Sequence, residues 1–227
     1  MKIEEHLLSV KTNIKRTLEN SGKRQRVEIV AATKTQTFKT IVAAYRCGIT
    51  NIGENRVQEA EKKFLSFSDM PKIKRRFIGH LQTNKVNKCL EIFDTIDSID
   101  TIKLANKISN RISITNKKIE CLIEVNTSGD TNKNGFKPDQ IEAMLECIKI
   151  ENINIIGLMT LGPVSQNEQE TRKAFSLLAN TKETINEKTG NSKLHVLSMG
   201  MSNDYSIAVE EGSNMVRLGT KLFGGRK

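Results

Sequence analysis

Eight short apolar segments, alternating with helical ones, decide what this chain can fold into. They run over 27–33, 49–53, 75–79, 94–98, 119–126, 153–160, 194–199 and 215–219, with helical stretches such as 141–148 and 172–185 between them. Runs rich in Ile, Val and Leu are the mark of strands covered on both faces. Strand, helix, strand order requires parallel pairing through crossovers, and eight such units close into a barrel. The expected fold is therefore α/β: a (β/α)8 TIM barrel forming a single domain over 1–227. An extra N-terminal helix is expected as well, because Ile3, Leu7, Val10, Ile14 and Leu18 recur at helical intervals. An open doubly wound sheet is the alternative, but the first βα turn, Lys34-Thr35-Gln36-Thr37, has no glycine fingerprint for a dinucleotide. Thr37 is placed to cap the helix that follows and Gly48 to end it.

Composition excludes several functions. The formal charge of +10 would suit a polyanion, yet eight phenylalanines and two tyrosines, with no tryptophan, give few stacking platforms for single strands. The one local basic cluster, Lys72-Ile73-Lys74-Arg75-Arg76, leads into Phe77-Ile78 and reads as the flank of a strand. No nucleic-acid partner is expected. Cys47, Cys89, Cys121 and Cys147 form no CxxC pair and have no histidine at ligand spacing, so they read as reduced core thiols and no metal is expected. No segment reaches the ~18 apolar residues of a bilayer span, and the opening residues lack the order of a signal peptide. A cytoplasmic protein without a membrane partner is expected.

The chemistry is sought where barrels place it, at the carboxyl ends of the strands, with phosphates held after strands seven and eight. The turn after the seventh segment is Met199-Gly200-Met201-Ser202-Asn203-Asp204, and Gly219-Thr220 follows the eighth. Both offer glycine, hydroxyls and backbone amides to an anion. Lys34 leaves the first strand, next to the eighth once the barrel closes. An amine beside a phosphate seat points to pyridoxal 5'-phosphate, with burial at the barrel mouth expected to favour the reactive free amine. A surface lysine at a strand end is the bland alternative. Arg217, two residues before Gly219, should point into the barrel, its acceptor being either a pyridine nitrogen or an inward carboxylate such as Glu28 or Glu124. Asn55 could reach a ring hydroxyl or simply cap a helix. His80 reads as a hydrogen bonder lining the mouth, or as an acid or base for which no carboxylate partner is evident. Asn126-Thr127-Ser128-Gly129 and Met159-Thr160 should line the pocket, and Asn134-Gly135 reads as a turn.

Six segments carry a family resemblance as well. Ala31-Ala32-Thr33-Lys34-Thr35, Gly53-Glu54-Asn55-Arg56-Val57-Gln58-Glu59, Phe77-Ile78-Gly79-His80-Leu81-Gln82-Thr83-Asn84-Lys85, Gly157-Leu158-Met159-Thr160, the segment 198–204 and Val216-Arg217-Leu218-Gly219-Thr220-Lys221-Leu222-Phe223-Gly224 resemble the pyridoxal phosphate homeostasis protein family, in order and across nearly the whole chain. The resemblance implies the barrel of the alanine racemase N-terminal domain, with pyridoxal 5'-phosphate held covalently as an imine at Lys34. Ser202, Gly219 and Thr220 would hold the phosphate, with Ser198 and the Gly200–Met201 backbone nearby. Arg217 would face the ring nitrogen, and Asn55 and Met159 would border the ring. The implied function is homeostasis of the cofactor and of amino and keto acids without ordinary turnover, and apo-enzymes that need the cofactor are candidate recipients. A monomer is expected. Asn203, Asn214 and the basic end Gly225-Arg226-Lys227 depart from the pattern without removing a proposed ligand.

Two readings compete. A single-domain amino-acid racemase would need a second acid/base group, which larger relatives supply as a tyrosine on an added β-domain; the chain stops soon after Thr220, and Tyr45 and Tyr205 sit in predicted helices. A Schiff-base aldolase would share the lysine, the phosphate turns and the barrel.

Overall fold

The computed structural model describes residues 2–115, 118–165, 167–190 and 193–225, which leaves Arg226 and Lys227 of the basic end outside the described residues. Its strands are β1 (Glu28–Ala32), β2 (Asn51–Glu54), β3 (Lys74–Phe77), β4 (Thr95–Ile99), β5 (Glu120–Glu124), β6 (Asn154–Met159), β7 (Val196–Ser198) and β8 (Met215–Leu218). They are parallel and close in sequence order, with β8 returning to β1. The expected (β/α)8 barrel is what forms, and each sequence segment overlaps one strand.

Helices α1 (Lys2–Ser21), α2 (Phe38–Arg46), α3 (Val57–Lys63), α4 (Val86–Ile92), α5 (Ile102–Thr115), α6 (Ile141–Lys149), α7 (Glu168–Thr189), α8 (Tyr205–Glu210) and α9 (Thr220–Phe223) surround it. Thr37 caps α2 as expected, its side chain accepting from the Thr40 amide, and Gly48 follows with φ +93°. At α3 one of the two alternatives for Asn55, the helix cap, fails. Arg56, not Asn55, holds the cap position, and no side chain bonds the first turn. The segment at Asn134-Gly135 is more than a turn: Phe136 bridges Val125, and a Cβ at Gly135 would lie 3.0 Å from the Glu124 carbonyl oxygen.

The extra helix completes the outer layer. A single turn of helix, α9, cannot cover β8, and α1 takes that place. Leu7, Val10 and Ile14 pack with Ala31, Val216, Leu218 and Leu222. Burying those three side chains contributes on the order of 5–9 kcal/mol, an upper figure because the unfolded chain already shields part of them. Polar pins set its rotation: Asn13 Nδ2 donates to the Tyr205 hydroxyl at 2.9 Å, and His6 Nδ1 to the Leu222 carbonyl at 2.9 Å.

The barrel interior is divided. Val30, Leu122, Ile156, Met159, Val196 and Met215 form an apolar cluster. Strand register carries the inward direction from Val30 to Asn51 and Arg217, and from Gly53 through Arg76 to Thr95. Charge therefore enters the interior: Arg76 binds Asp97 through Nε (2.7 Å) and Nη2 (3.1 Å), and both are almost fully buried. Of the basic residues in the sequence cluster at 72–76, Arg76 alone is buried; Lys74 pairs with Glu120 and Arg75 with Asp94 in half-exposed ion pairs, and Lys72 is exposed. Cys47, Cys89, Cys121 and Cys147 form no disulfide, and burial pushes the Cys121 thiol far up, out of the reactive range.

Candidate functional site

The register that closes the barrel also assembles the site. β1 and β8 align Val30 with Arg217 and Ala31 with Leu218, so Ala32 comes level with Gly219 and Lys34 lies just beyond. A cavity of about 930 Å³ opens there, bordered by Lys34, Thr35 and Gln36 after β1, Leu161 to Val164 after β6, Met201 to Asp204 after β7, and Gly219 and Thr220 after β8. Its wall carries three cations, Lys34, Lys133 and Arg217, against one carboxylate, Asp204, among the described residues. That balance favours a dianionic ligand.

The candidate anion seat is built from backbone. Ser202 Oγ accepts from the amides of Gly219 and Lys221, both at 3.2 Å. Those two N–H groups thus converge on one oxygen, as a phosphate oxygen would require. Gly200 makes the turn possible: its φ is +97°, and a Cβ would meet Ala208 Cβ at 2.6 Å. Asp204 braces the same loop by accepting from the Met201 amide, and its burial raises its pKa despite the opposing Arg217 charge.

Arg217 points inward as expected, and within the protein its acceptors are a hydroxyl and two backbone carbonyls in place of the carboxylates considered from sequence. Nη1 donates to the Ser198 carbonyl (2.7 Å) and hydroxyl (2.8 Å), and Nη2 to the Thr160 carbonyl (2.7 Å). Glu28 is exposed at the far end of β1 and is no partner. These contacts use three of the five guanidinium hydrogens. Nε–H and one Nη2–H meet no acceptor among the described residues, and the side chain borders the cavity. Burial pulls the Arg217 pKa down, opposed by Asp97, Glu124 and Asp204.

Lys34 borders the cavity yet is exposed, so the expectation that the barrel mouth buries its amine is corrected. Met201, Ser202, Gly219 and Thr220 share that cavity with Lys34 and Arg217. Ser198 lies below it, bonded to Arg217; Met159 belongs to the apolar interior; Gly200 shapes the loop; and Asn55 sits half-buried after β2, its backbone against Gly79. None of these four is among the lining residues.

Sequence reasoning missed two features of the mouth. Lys133 borders the cavity, its ammonium donating to the Gly162 carbonyl at 2.7 Å, and only the loop that runs back along β5 brings it there. His80, expected to lack a carboxylate, has one: its Nδ1 lies 2.8 Å from Asp100 Oδ2. A charged residue closing a strand that is otherwise fully buried was the available signal.

Glu124, at the end of β5, has its pKa pushed up to about 7, first by burial and then by Asp100, with Arg217, His80 and Lys133 opposing. A sign follows for stability. Between the ordinary value of 4.5 and about 7 the folded protein keeps a proton that the unfolded chain has released. Stability therefore falls as pH rises through that window, by roughly 3 kcal/mol, and the loss is constant above it. Denaturant melts of the ligand-free protein from about pH 4.5 to 7.5 should show Glu124→Gln gaining on the parent by that amount across the window; parallel profiles would mean that Glu124 titrates normally.

Comparison with known proteins agrees with this architecture. Residues 6–227 match the model of the alanine racemase N-terminal domain. A pyridoxal phosphate homeostasis protein of Aquifex aeolicus is 36% identical over 225 residues, covering 98% of each chain. The solved structure of PipY from Synechococcus elongatus with pyridoxal phosphate bound superposes with a TM-score of 0.85 at 29% identity, covering 98% of this chain and all of that one. An alanine racemase of Clostridium difficile, at 16% identity and TM-score 0.72, shares the fold over 95% of this chain but only 55% of its own.

Proposed function

The chain belongs to the alanine racemase N-terminal domain family and, within it, to the pyridoxal phosphate homeostasis proteins, and on that premise we propose that it binds pyridoxal 5'-phosphate reversibly and serves intracellular homeostasis of the cofactor rather than turnover of a substrate. One observation carries the reading: an accessible lysine and a pair of convergent backbone amides border the same cation-rich cavity. When bound, the cofactor supplies an aldehyde that condenses reversibly with amines. Lys34 is the residue assigned to hold it covalently. Ser202, Gly219 and Thr220 hold the phosphate, and the two unengaged N–H groups of Arg217 face the ring nitrogen.

That last assignment bears on turnover. Arg217 is a permanent donor, so a nitrogen facing it stays unprotonated, which weakens the electron-sink character that carbanion chemistry needs. A racemase would also need a second acid/base group over the cofactor, and among the described residues no tyrosine borders the cavity. Tyr205 is buried and bonded to Asn13 on α1. The arrangement favours a holder of the cofactor that releases it to an incoming amine, and apo-enzymes that require it are the natural recipients.

Incubation with pyridoxal 5'-phosphate followed by borohydride and peptide mass spectrometry tests the reading. A visible absorption band that borohydride abolishes, with one reduced adduct on Lys34, is expected. A colourless protein that cleaves sugar phosphates would support an aldolase, and racemisation at ordinary enzymatic rates would overturn the non-catalytic role. Ser202→Asp tests the seat separately. A carboxylate there still satisfies the amides of Gly219 and Lys221 but repels a phosphate, so affinity should fall at least about tenfold with the melting temperature held. Unchanged affinity would place the phosphate elsewhere.

A further inference from the structure

Beneath the turn that presents Lys34, on the outer side of the barrel, lies a charged cluster that the proposed function leaves unused. Thr33 and Glu54 are fully buried, and the Lys63 side chain is 14% exposed. Glu54 Oε1 accepts from the Lys63 ammonium and from the Thr33 hydroxyl, each at 2.6 Å. Lys63 donates also to the Thr33 carbonyl at 2.7 Å. That same carbonyl accepts from the Gln36 amide at 2.8 Å, closing a turn whose two central residues are Lys34 and Thr35.

We propose that Glu54 and Lys63 are positioning residues for Lys34: a buried ion pair that clamps Thr33, and so fixes the turn that aims the amine across the cavity. The proposal rests on Lys34 being the attachment site. Three features support it. Beyond their bond to each other, the side-chain hydrogen bonds of the pair among the described residues all go to the one residue that begins the turn. The arrangement is poor if stability were its purpose, because Glu54 Oε2 is buried with no hydrogen-bond partner among the described residues. The Lys34 side chain, being exposed, has no packing of its own to hold it. Its placement must come from the backbone beneath, and a flexible four-carbon stem on a loose turn would reach the carbonyl carbon of a bound aldehyde only part of the time.

The variants Glu54→Gln, Lys63→Met and the double Glu54→Gln/Lys63→Met test this, the double variant leaving no unpaired buried charge should a single one fail to fold. Two readouts are needed. In the ligand-free protein, hydrogen exchange at the Gln36 amide should speed up at least about tenfold in the double variant, while exchange in the β-strands holds. With ligand, the rate of covalent capture of pyridoxal 5'-phosphate should fall at least about tenfold, while affinity for the aldehyde-free pyridoxine 5'-phosphate, which reports the cavity and its phosphate seat, stays within about twofold. Lys63→Arg, which restores a donor to both oxygens, should recover part of the capture rate. Capture at the parental rate, or capture and analogue affinity falling together, would overturn the proposal. Lys34→Ala separates the two layers: an adduct that survives it refutes the attachment site itself, whereas an adduct lost there but formed normally in the double variant refutes the positioning role alone.

Discussion

Lys34→Ala should fold like the parent yet take up no cofactor that borohydride can fix. The side chain is exposed and bonds to nothing among the described residues, so its removal should move stability by no more than about 0.5 kcal/mol. Binding is another matter. Without an amine to condense, the aldehyde loses its covalent anchor and only the phosphate seat and Arg217 remain, so apparent affinity should drop by at least about a hundredfold, near 2.8 kcal/mol. The one competing amine at the cavity, among the described residues, is Lys133, and it is engaged with the Gly162 carbonyl at 2.7 Å. Absorption spectra of parent and variant with equimolar cofactor, followed by reduction and peptide mapping, give the answer. A visible band that persists in the variant, or a reduced adduct on Lys133, would remove Lys34 from its role.

The parts of this molecule that the sequence revealed are those whose signal is local. Apolar runs such as 119–126 announce strands because both faces are covered, and the spacing of Leu7, Val10 and Ile14 announces α1 for the same reason. The cavity followed from topology: once eight strands close in order, Lys34 and Gly219 must be neighbours. Long-range polar pairing was not legible. Arg76 sits in a basic cluster and looks solvated, yet strand parity turns it inward while Arg75 beside it turns outward to Asp94. Asp100, the partner of His80, lies 20 residues away, just past the end of the next strand. Lys63 ends a helix rich in charge, and nothing in its neighbourhood marks it as the cation that holds Thr33. Each of these contacts depends on which strand lies next to which, and on which face a residue occupies, so none can be read before the barrel is closed.

The largest cost to stability should come from Asp97→Ala. Arg76 is 2% exposed and its guanidinium has two bonds to Asp97, at 2.7 and 3.1 Å, with only a long contact to Asn51 at 3.4 Å besides among the described residues. Deleting the carboxylate leaves a buried cation with no counter-charge, and the Thr95 hydroxyl loses its acceptor as well. Removing one partner of such a pair costs about 3–5 kcal/mol, a large share of a domain's stability. The effect should reach the candidate site, because Asp97 is the largest of the carboxylate influences that offset the burial of Arg217. Arg217 would then keep only Glu124 and Asp204 of the carboxylates that offset its burial, so the variant should also change cofactor affinity even where it remains folded. The control is the double variant Arg76→Met/Asp97→Val, which removes both charges and fills the space with apolar atoms; it should recover most of the lost stability, since a buried pair is worth little over a well-packed apolar replacement. Denaturant midpoints of the three proteins decide the point. A single variant that melts like the parent would mean that water reaches Arg76, and a double variant no better than the single would mean that packing, not the stranded charge, set the cost.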